Sequence, residues 1–140
     1  MARSAPDALV DTSVAVALLV ADHAAREAVK RAVGTRRLGL AGHAAFETYS
    51  VLTRLPPPAR RTPAAVGEML GRRFPASQFL DADAAADLHG RLEALGIAGG
   101  TVYDALVGAA AAHHDLPLLS RDERASEIYR RLDVTVELLA

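Results

Sequence analysis

The stretch that decides the fold is residues 8–19, which read ALVDTSVAVALL. Its first three residues are apolar, as in a short buried strand, and the chain then meets Asp11, Thr12 and Ser13. Polar side chains of this kind begin helices, and the apolar run that follows is long enough to continue as one. The stretch therefore predicts a strand that ends at an aspartate and is followed at once by a helix.

The same alternation of short apolar segments and helical segments continues along the chain. Further strands are predicted at residues 38–41, 79–80, 116–119 and 134–138. Helices are predicted at residues 14–20, 23–33, 43–55, 63–73, 102–113 and 123–132, with another that starts at Asp81 or Asp83 and ends at Leu95. This pattern indicates a parallel sheet with helices on both faces. The 140 residues contain no evident linker or repeat, so a single domain over residues 1–140 is expected.

Composition excludes several classes of protein. The chain has no cysteine, which excludes a disulfide scaffold, a thiol nucleophile and a cysteine-ligated zinc site. Its longest apolar run is far shorter than the ~20 residues that a membrane-spanning helix needs. Asp7 and Asp11 lie where a secretory signal would be apolar, so we expect a cytoplasmic protein. The net charge of −1 does not by itself indicate a nucleic-acid ligand.

Four acidic residues occupy positions that a ligand site would use. Asp11 follows the first strand, Asp122 follows the strand near residue 119, and Asp104 lies in the first turn of an otherwise apolar helix. Ligands of doubly wound sheets bind outside the carboxyl ends of the strands, near the point where strand order reverses. Glu47, in the helix after the second strand, is expected on the same side. The four carboxyl groups should then lie within roughly 10 Å of one another, the span of a one- or two-ion site.

Clustered carboxylates require a counter-charge. Two of them ~5 Å apart repel by roughly 3 kcal/mol at an effective dielectric near 20, so either one takes a proton or a cation neutralises them. An all-oxygen set selects a hard ion, Mg²⁺ or Mn²⁺, which can activate water and stabilise a phosphate in transfer.

Each acid also has a simpler alternative role. Asp11 and Asp122 could cap helices, Asp104 could complete a capping box with Thr101, and Glu47 could pair with a surface arginine. Helix capping is likewise the expected role of the hydroxyl side chains near these acids, which could alternatively orient metal ligands: Ser13, Thr101 and Ser120.

Three stretches, taken in order, resemble PIN-domain nucleases: residues 9–19 (LVDTSVAVALL), 46–55 (FETYSVLTRL) and 101–125 (TVYDALVGAAAAHHDLPLLSRDERA). The set is most similar to the VapC-type toxins of bacterial toxin–antitoxin pairs. The resemblance implies a PIN-like three-layer α/β/α sandwich with a central parallel sheet of four to five strands. It also implies RNA hydrolysis with Mg²⁺ or Mn²⁺, for which Asp11 and Asp104 would be the firmest ligands. Glu47 and Asp122 would complete the acidic pocket, next to a serine, Ser120, where the family usually has threonine.

The resemblance further implies three partners: an RNA substrate, a cognate VapB-type antitoxin and a second copy of the chain in a homodimer. We expect the antitoxin to insert a basic side chain among the four carboxylates. Two alternatives stay open, a metal-dependent DNase and a catalytically silent PIN-like binding module, because the residues do not separate RNA from DNA. A receiver-type phosphoacceptor is excluded because the only lysine, Lys30, comes far too early in the chain.

Overall fold

The computed structural model describes residues 5–140, and within them a parallel sheet is flanked by helices. Its strands are β1 (Ala8–Val10), β2 (Leu38–Leu40), β3 (Leu118–Ser120) and β4 (Val136–Leu138). The helices, in chain order, are α1 (Thr12–Leu19), α2 (Arg26–Val33), α3 (His43–Thr53), α4 (Pro63–Arg73), α5 (Ala82–Leu95), α6 (Thr101–His113) and α7 (Glu123–Arg131). No helix in this part of the chain is both long and apolar enough to cross a membrane.

The sheet separates two hydrophobic cores. Alternate residues of a strand point to opposite faces, so Val10 and Leu119 pack with side chains from α1 to α4. Leu9 and Leu118 pack on the other face with side chains from α5, α6 and α7. Since both faces of β1 and β3 are buried, these strands are continuous apolar runs rather than alternating ones. The three-layer α/β/α sandwich with a parallel sheet of four strands is therefore confirmed.

The order of the strands, β2-β1-β3-β4, places the switch point between β1 and β3. The chain passes from β1 to β2 on one side and then returns to form β3 on the other side of β1. Val10 is paired with Leu119, and the amide of Asp11 donates to the carbonyl of Leu119 at 3.2 Å. The prediction that Asp11 and Asp122 follow neighbouring strands is thus confirmed, and both lie where this class of sheet binds ligands.

The predicted strand at residues 79–80 is wrong. The segment before it instead crosses the edge of β2: the Leu40 amide donates to the Ser77 hydroxyl at 2.9 Å, and the Gln78 amide donates to the Leu40 carbonyl at 3.1 Å. A single bridge joins Ala41 to Gln78. These bonds satisfy the edge of the sheet without a fifth strand, and Phe79 is left half-exposed.

Two predicted elements are also shorter in the structure. The helix expected from residue 23 begins at Arg26, because the ring nitrogen Nδ1 of His23 accepts the Ala25 amide in a turn. The strand predicted at residues 134–138 is shortened to β4. Neither change affects the ends of β1 and β3, which position the acidic residues.

Candidate active site

Asp11 is the most firmly held of the predicted acids. It follows β1 directly, caps α1 and is only 3% exposed. Its Oδ1 accepts hydrogen bonds from the Ser13 hydroxyl at 2.6 Å and from the Val14 amide at 3.2 Å. Its Oδ2 accepts from the Ser120 hydroxyl at 2.6 Å and from the Tyr129 hydroxyl at 2.9 Å. Four donors from three elements of the fold therefore fix the orientation of this carboxylate.

The pKa of Asp104 indicates that the four predicted acids lie close enough to interact electrostatically. Asp104 is half-buried in α6, and its pKa is raised to about 6, first by desolvation and then by repulsion from Asp122, Glu47 and Asp11. Arg124 opposes this rise in pKa. The carboxylate of Asp104 accepts no hydrogen bond from any group within residues 5–140. Its negative charge is therefore poorly compensated by the protein itself.

The capping alternative does not account for Asp104. The N-cap of α6 is Gly100, which has no side chain to take part in a capping box. Thr101 lies inside the helix, and its hydroxyl donates to the carbonyl of Ala98 at 2.6 Å. The predicted reciprocal pair between Thr101 and Asp104 is thus absent, and what remains is a negative charge in the first turn of a helix.

Glu47 is held by a hydroxyl rather than by an arginine. Its Oε1 accepts a hydrogen bond from the Thr12 hydroxyl at 3.1 Å, which links α3 to the start of α1. None of the ion pairs formed within the described residues includes Glu47, so the surface ion-pair alternative is wrong.

Asp122 is exposed and does cap a helix. Its Oδ1 accepts the Ala125 amide at the start of α7 at 3.1 Å, and its own amide donates to the Ser120 hydroxyl at 3.0 Å. The second carboxylate oxygen accepts no hydrogen bond from the part of the chain that the structure describes. Asp122 can therefore serve as a cap and still offer an oxygen to a ligand.

The donor set fits a hard divalent cation in its chemistry. Asp11, Glu47, Asp104 and Asp122 supply only oxygen, which Mg²⁺ and Mn²⁺ prefer. Within residues 5–140, no three acidic or histidine side chains lie close enough together to hold one ion. The other three acids are near enough to Asp104 for their charges to add to the rise in its pKa that burial causes. Their assignment as metal ligands stays a prediction.

Two residues of the hydroxyl network were not predicted. Tyr129 carried a usable signal, since it falls among the apolar positions of α7, which pack at residues 125, 128, 129 and 132. A tyrosine on such a face is buried, and a buried hydroxyl needs a partner. Thr12 carried no comparable signal. Ser13 and Ser120 donate to Asp11, so orientation of that carboxylate is what their hydroxyls do.

An exposed group of rings adjoins the acids. This aromatic patch consists of His43, Phe46, Phe79 and Tyr103, with Phe46 65% and Tyr103 52% exposed. The rings of His43 and Tyr103 stack at 5.0 Å, and Phe46 meets Phe79 edge-on at 6.2 Å. Two of its members directly precede acids of the site in the sequence. Contiguous exposed apolar surface of this kind marks interaction sites.

The sequence profile of the PIN domain matches residues 8–131, which is most of the chain. The chain is 44% identical over 135 residues to Ribonuclease VapC27 of Mycobacterium tuberculosis (strain ATCC 25618 / H37Rv), covering 96% of this chain and 98% of that protein. It is 47% identical over 131 residues to Ribonuclease VapC40 of Mycobacterium tuberculosis (strain CDC 1551 / Oshkosh), covering 92% of this chain and 96% of that protein. An α/β/α sandwich with carboxylates at its switch point is the class of protein that fold and site define. The chain belongs to the PIN-domain family, in its VapC branch.

Proposed function

We propose that this protein is a metal-dependent endoribonuclease that hydrolyses RNA phosphodiester bonds, and that it is the toxin of a toxin–antitoxin pair. The observation that carries the proposal is the half-buried Asp104, whose pKa is raised first by burial and then by three other carboxylates near the switch point of the sheet. A site with this much uncompensated negative charge is suited to a cation. RNA as the substrate class is supported by the two relatives, both named ribonucleases.

The four acids differ in how firmly hydrogen bonds hold them in place. Asp11 is held by four donors, and Glu47 is held by Thr12, so both present oxygens from defined positions. Asp104 and Asp122 are less constrained and complete the acidic set. Magnesium or manganese bound by these four acids would lower the pKa of a water molecule and stabilise negative charge on the phosphate. Arg124 is an exposed basic group near Asp104 and can contact a neighbouring phosphate.

The same proposal includes the ion, the location and two protein partners. Magnesium, with manganese as its substitute, is favoured by the oxygen-only donor set, and an RNA substrate is in keeping with a cytoplasmic protein. A VapB-type antitoxin would place an arginine or lysine among the carboxylates, where it replaces the cation as counter-charge. Homodimerisation through the aromatic patch would remove exposed rings from water.

The test of the enzymatic activity is to map cleavage sites on total RNA with and without Mg²⁺. The proteins compared are the wild type, Asp11→Asn, and Asp83→Asn as a matched control, since Asp83 is an exposed aspartate in the first turn of α5. We expect Mg²⁺-dependent cleavage by the wild type and by Asp83→Asn, and none by Asp11→Asn. Cleavage of a matched DNA but not of RNA would favour the DNase alternative, and cleavage of neither would favour the silent binding module.

The toxin–antitoxin assignment is tested separately in cells. Expression of the wild type should arrest growth, and co-expression of the adjacent reading frame should relieve the arrest. Growth arrest that persists with each neighbouring frame would contradict the assignment, but it would leave the nuclease activity standing.

A further inference from the structure

The carboxylate of Asp11 makes more hydrogen bonds than a metal ligand can keep. Its two oxygens offer about four lone-pair sites, and four protein donors occupy them: the Val14 amide and the hydroxyls of Ser13, Ser120 and Tyr129. A cation that binds Asp11 needs one of those sites. One donor must therefore give way, and the structure indicates which.

The two donors to Oδ2 are locked in place. Ser120 is fully buried at the end of β3, and its hydroxyl also accepts the Asp122 amide at 3.0 Å. Tyr129 is 2% exposed. Its ring is packed against α6 so tightly that a Cβ added at Gly108 would lie 2.9 Å from its Cδ1. Both donors to Oδ2 therefore belong to side chains that buried parts of a strand and a helix hold in place.

The donors to Oδ1 differ from these in mobility. The Val14 amide is fixed by the backbone of α1, but Ser13 is only partly buried, and its hydroxyl can rotate away. Its oxygen also accepts a hydrogen bond from the Arg121 amide at 2.8 Å, and it keeps this partner when only its O–H bond turns away from Oδ1. The site on Oδ1 that Ser13 occupies is thus the one that a ligand can take at least cost.

We infer that Tyr129, together with Ser120, is a positioning residue that anchors Oδ2 of Asp11 throughout the catalytic cycle. Asp11 then offers Oδ1 alone to the metal ion, and the Ser13 hydroxyl is the donor that it displaces. The inference rests on the proposed metal-dependent function and assigns Tyr129 a part in it. Hydrogen bonds to a ligating carboxylate fix its orientation, and their loss lowers metal affinity or activity by about 10- to 100-fold.

The experiment compares Tyr129→Phe with Tyr49→Phe, which makes the same chemical change on an exposed ring of α3. Isothermal titration with MnCl₂ and with MgCl₂ should give a Kd about 10- to 100-fold higher for Tyr129→Phe, and an unchanged Kd for Tyr49→Phe. In RNA cleavage, Tyr129→Phe should need more metal for half-maximal rate, while its KM for RNA at saturating metal stays at the wild-type value. A merely structural role for Tyr129 would not separate these two quantities. A metal Kd for Tyr129→Phe equal to or below that of the wild type would overturn the inference.

Two further measurements do not depend on the folding of Tyr129→Phe. In wild-type protein with ¹³Cζ-labelled tyrosine, the deuterium isotope effect on the Tyr129 signal should report slow hydroxyl exchange both before and after MgCl₂ is added. Exchange that becomes as fast as that of the exposed tyrosines upon metal binding would show that Oδ2 is released. The displaced donor is tested by Ser13→Ala, which should bind metal as tightly as the wild type or more tightly. A loss of affinity as large as that of Tyr129→Phe would contradict the assignment of Oδ1.

The failure of this inference can be told apart from the failure of the proposed function. If the wild type binds neither cation, the metal site itself is wrong, and the inference falls with it. If the wild type binds metal and Tyr129→Phe binds it equally well, only the role of Tyr129 is wrong.

Discussion

Replacing Asp104 with asparagine is the sharpest test of the acidic site, because it removes one charge with little change of shape. The pKa of Asp104 is raised from 3.8 to about 6. At about 1.4 kcal/mol for each pKa step, this difference corresponds to at most ~3 kcal/mol. The side chain is partly exposed, so solvent screening reduces the figure to about 1 kcal/mol. Asp104→Asn should therefore stabilise the metal-free protein, and raise its melting temperature by about 3 °C.

The stability that Asp104→Asn gains over the wild type should depend on pH, and the pKa of Asp104 determines whether it rises or falls with pH. The pKa of Asp104 is higher in the folded than in the unfolded protein, so ionisation of this group destabilises the fold. The penalty is absent below about pH 4, where both states hold the proton, grows as the pH rises, and is complete above the folded-state pKa of about 6. In thermal melts with EDTA, the advantage of Asp104→Asn should be full at pH 8 and vanish near pH 4.

The matched control is again Asp83→Asn, in the first turn of α5. The negative charge of Asp83 interacts favourably with the dipole of α5 and has no other role. Its removal should therefore lower the free energy of unfolding by about 0.3–1 kcal/mol and leave RNA cleavage intact. Magnesium at 100 times its Kd should stabilise the wild type by about 2.7 kcal/mol, and Asp104→Asn much less. An active Asp104→Asn protein that loses stability at pH 8 and keeps its full response to magnesium would refute the reasoning. Asp104 would then be only a favourable charge at the start of α6.

Three other perturbations have expected outcomes. Magnesium affinity, measured by titration calorimetry at pH 5 and pH 7.5, should fall at the lower pH because a proton on Asp104 competes with the cation below about pH 6; equal affinities would contradict this. On the proposed homodimer, Phe46→Ser should lower the mass from that of two chains to that of one in size-exclusion chromatography with light scattering, since it removes the most exposed ring of the aromatic patch; a wild type with the mass of one chain would contradict the dimer, and a dimer unchanged by the substitution would place its surface elsewhere. Gly39→Ala should destabilise the fold by about 1–3 kcal/mol in urea unfolding, because its Cβ would overlap the carbonyl of Ala76. Gly67→Ala, in open space on α4, should instead stabilise by about 0.5–1 kcal/mol, and equal effects of the two would show that the strand can shift.

The sequence predicted those parts of the fold that depend on local chemistry. Thr62 caps α4 with Pro63 in its first turn, and Asp81 caps α5, which ends at the left-handed Gly96, as the sequence indicated. Capping depends on groups within a few residues of each other, so it can be recognised in one stretch of chain. The segment that includes Ser77 could not be recognised in this way, because its hydrogen bonds go to β2, almost forty residues earlier.

The same distinction between local and long-range contacts applies to the acidic site. That Asp11 and Asp122 follow adjacent strands could be predicted from topology, because carboxyl ends of parallel strands meet at one edge. That Tyr129 donates to Asp11 could not, since it lies 118 residues away and reaches the carboxylate only once α7 has packed on the sheet. Sequence spacing thus indicates where charges gather, while their orientation depends on long-range packing.

Helix capping and catalysis are not mutually exclusive roles for the acids of this site. Asp11 and Asp122 both cap helices, because β1 and β3, the strands on either side of the switch point, are each followed directly by the start of a helix. The partial positive charge of a helix start stabilises an anion there, so these two acids would be tolerated with or without a cation. Asp104 has no capping bond, and its pKa is raised first by burial and then by repulsion from the other acids. Of these three acids, Asp104 is therefore the one whose negative charge the protein compensates least. Its response to a cation distinguishes a catalytic metal site from three acids that only lie at the starts of helices.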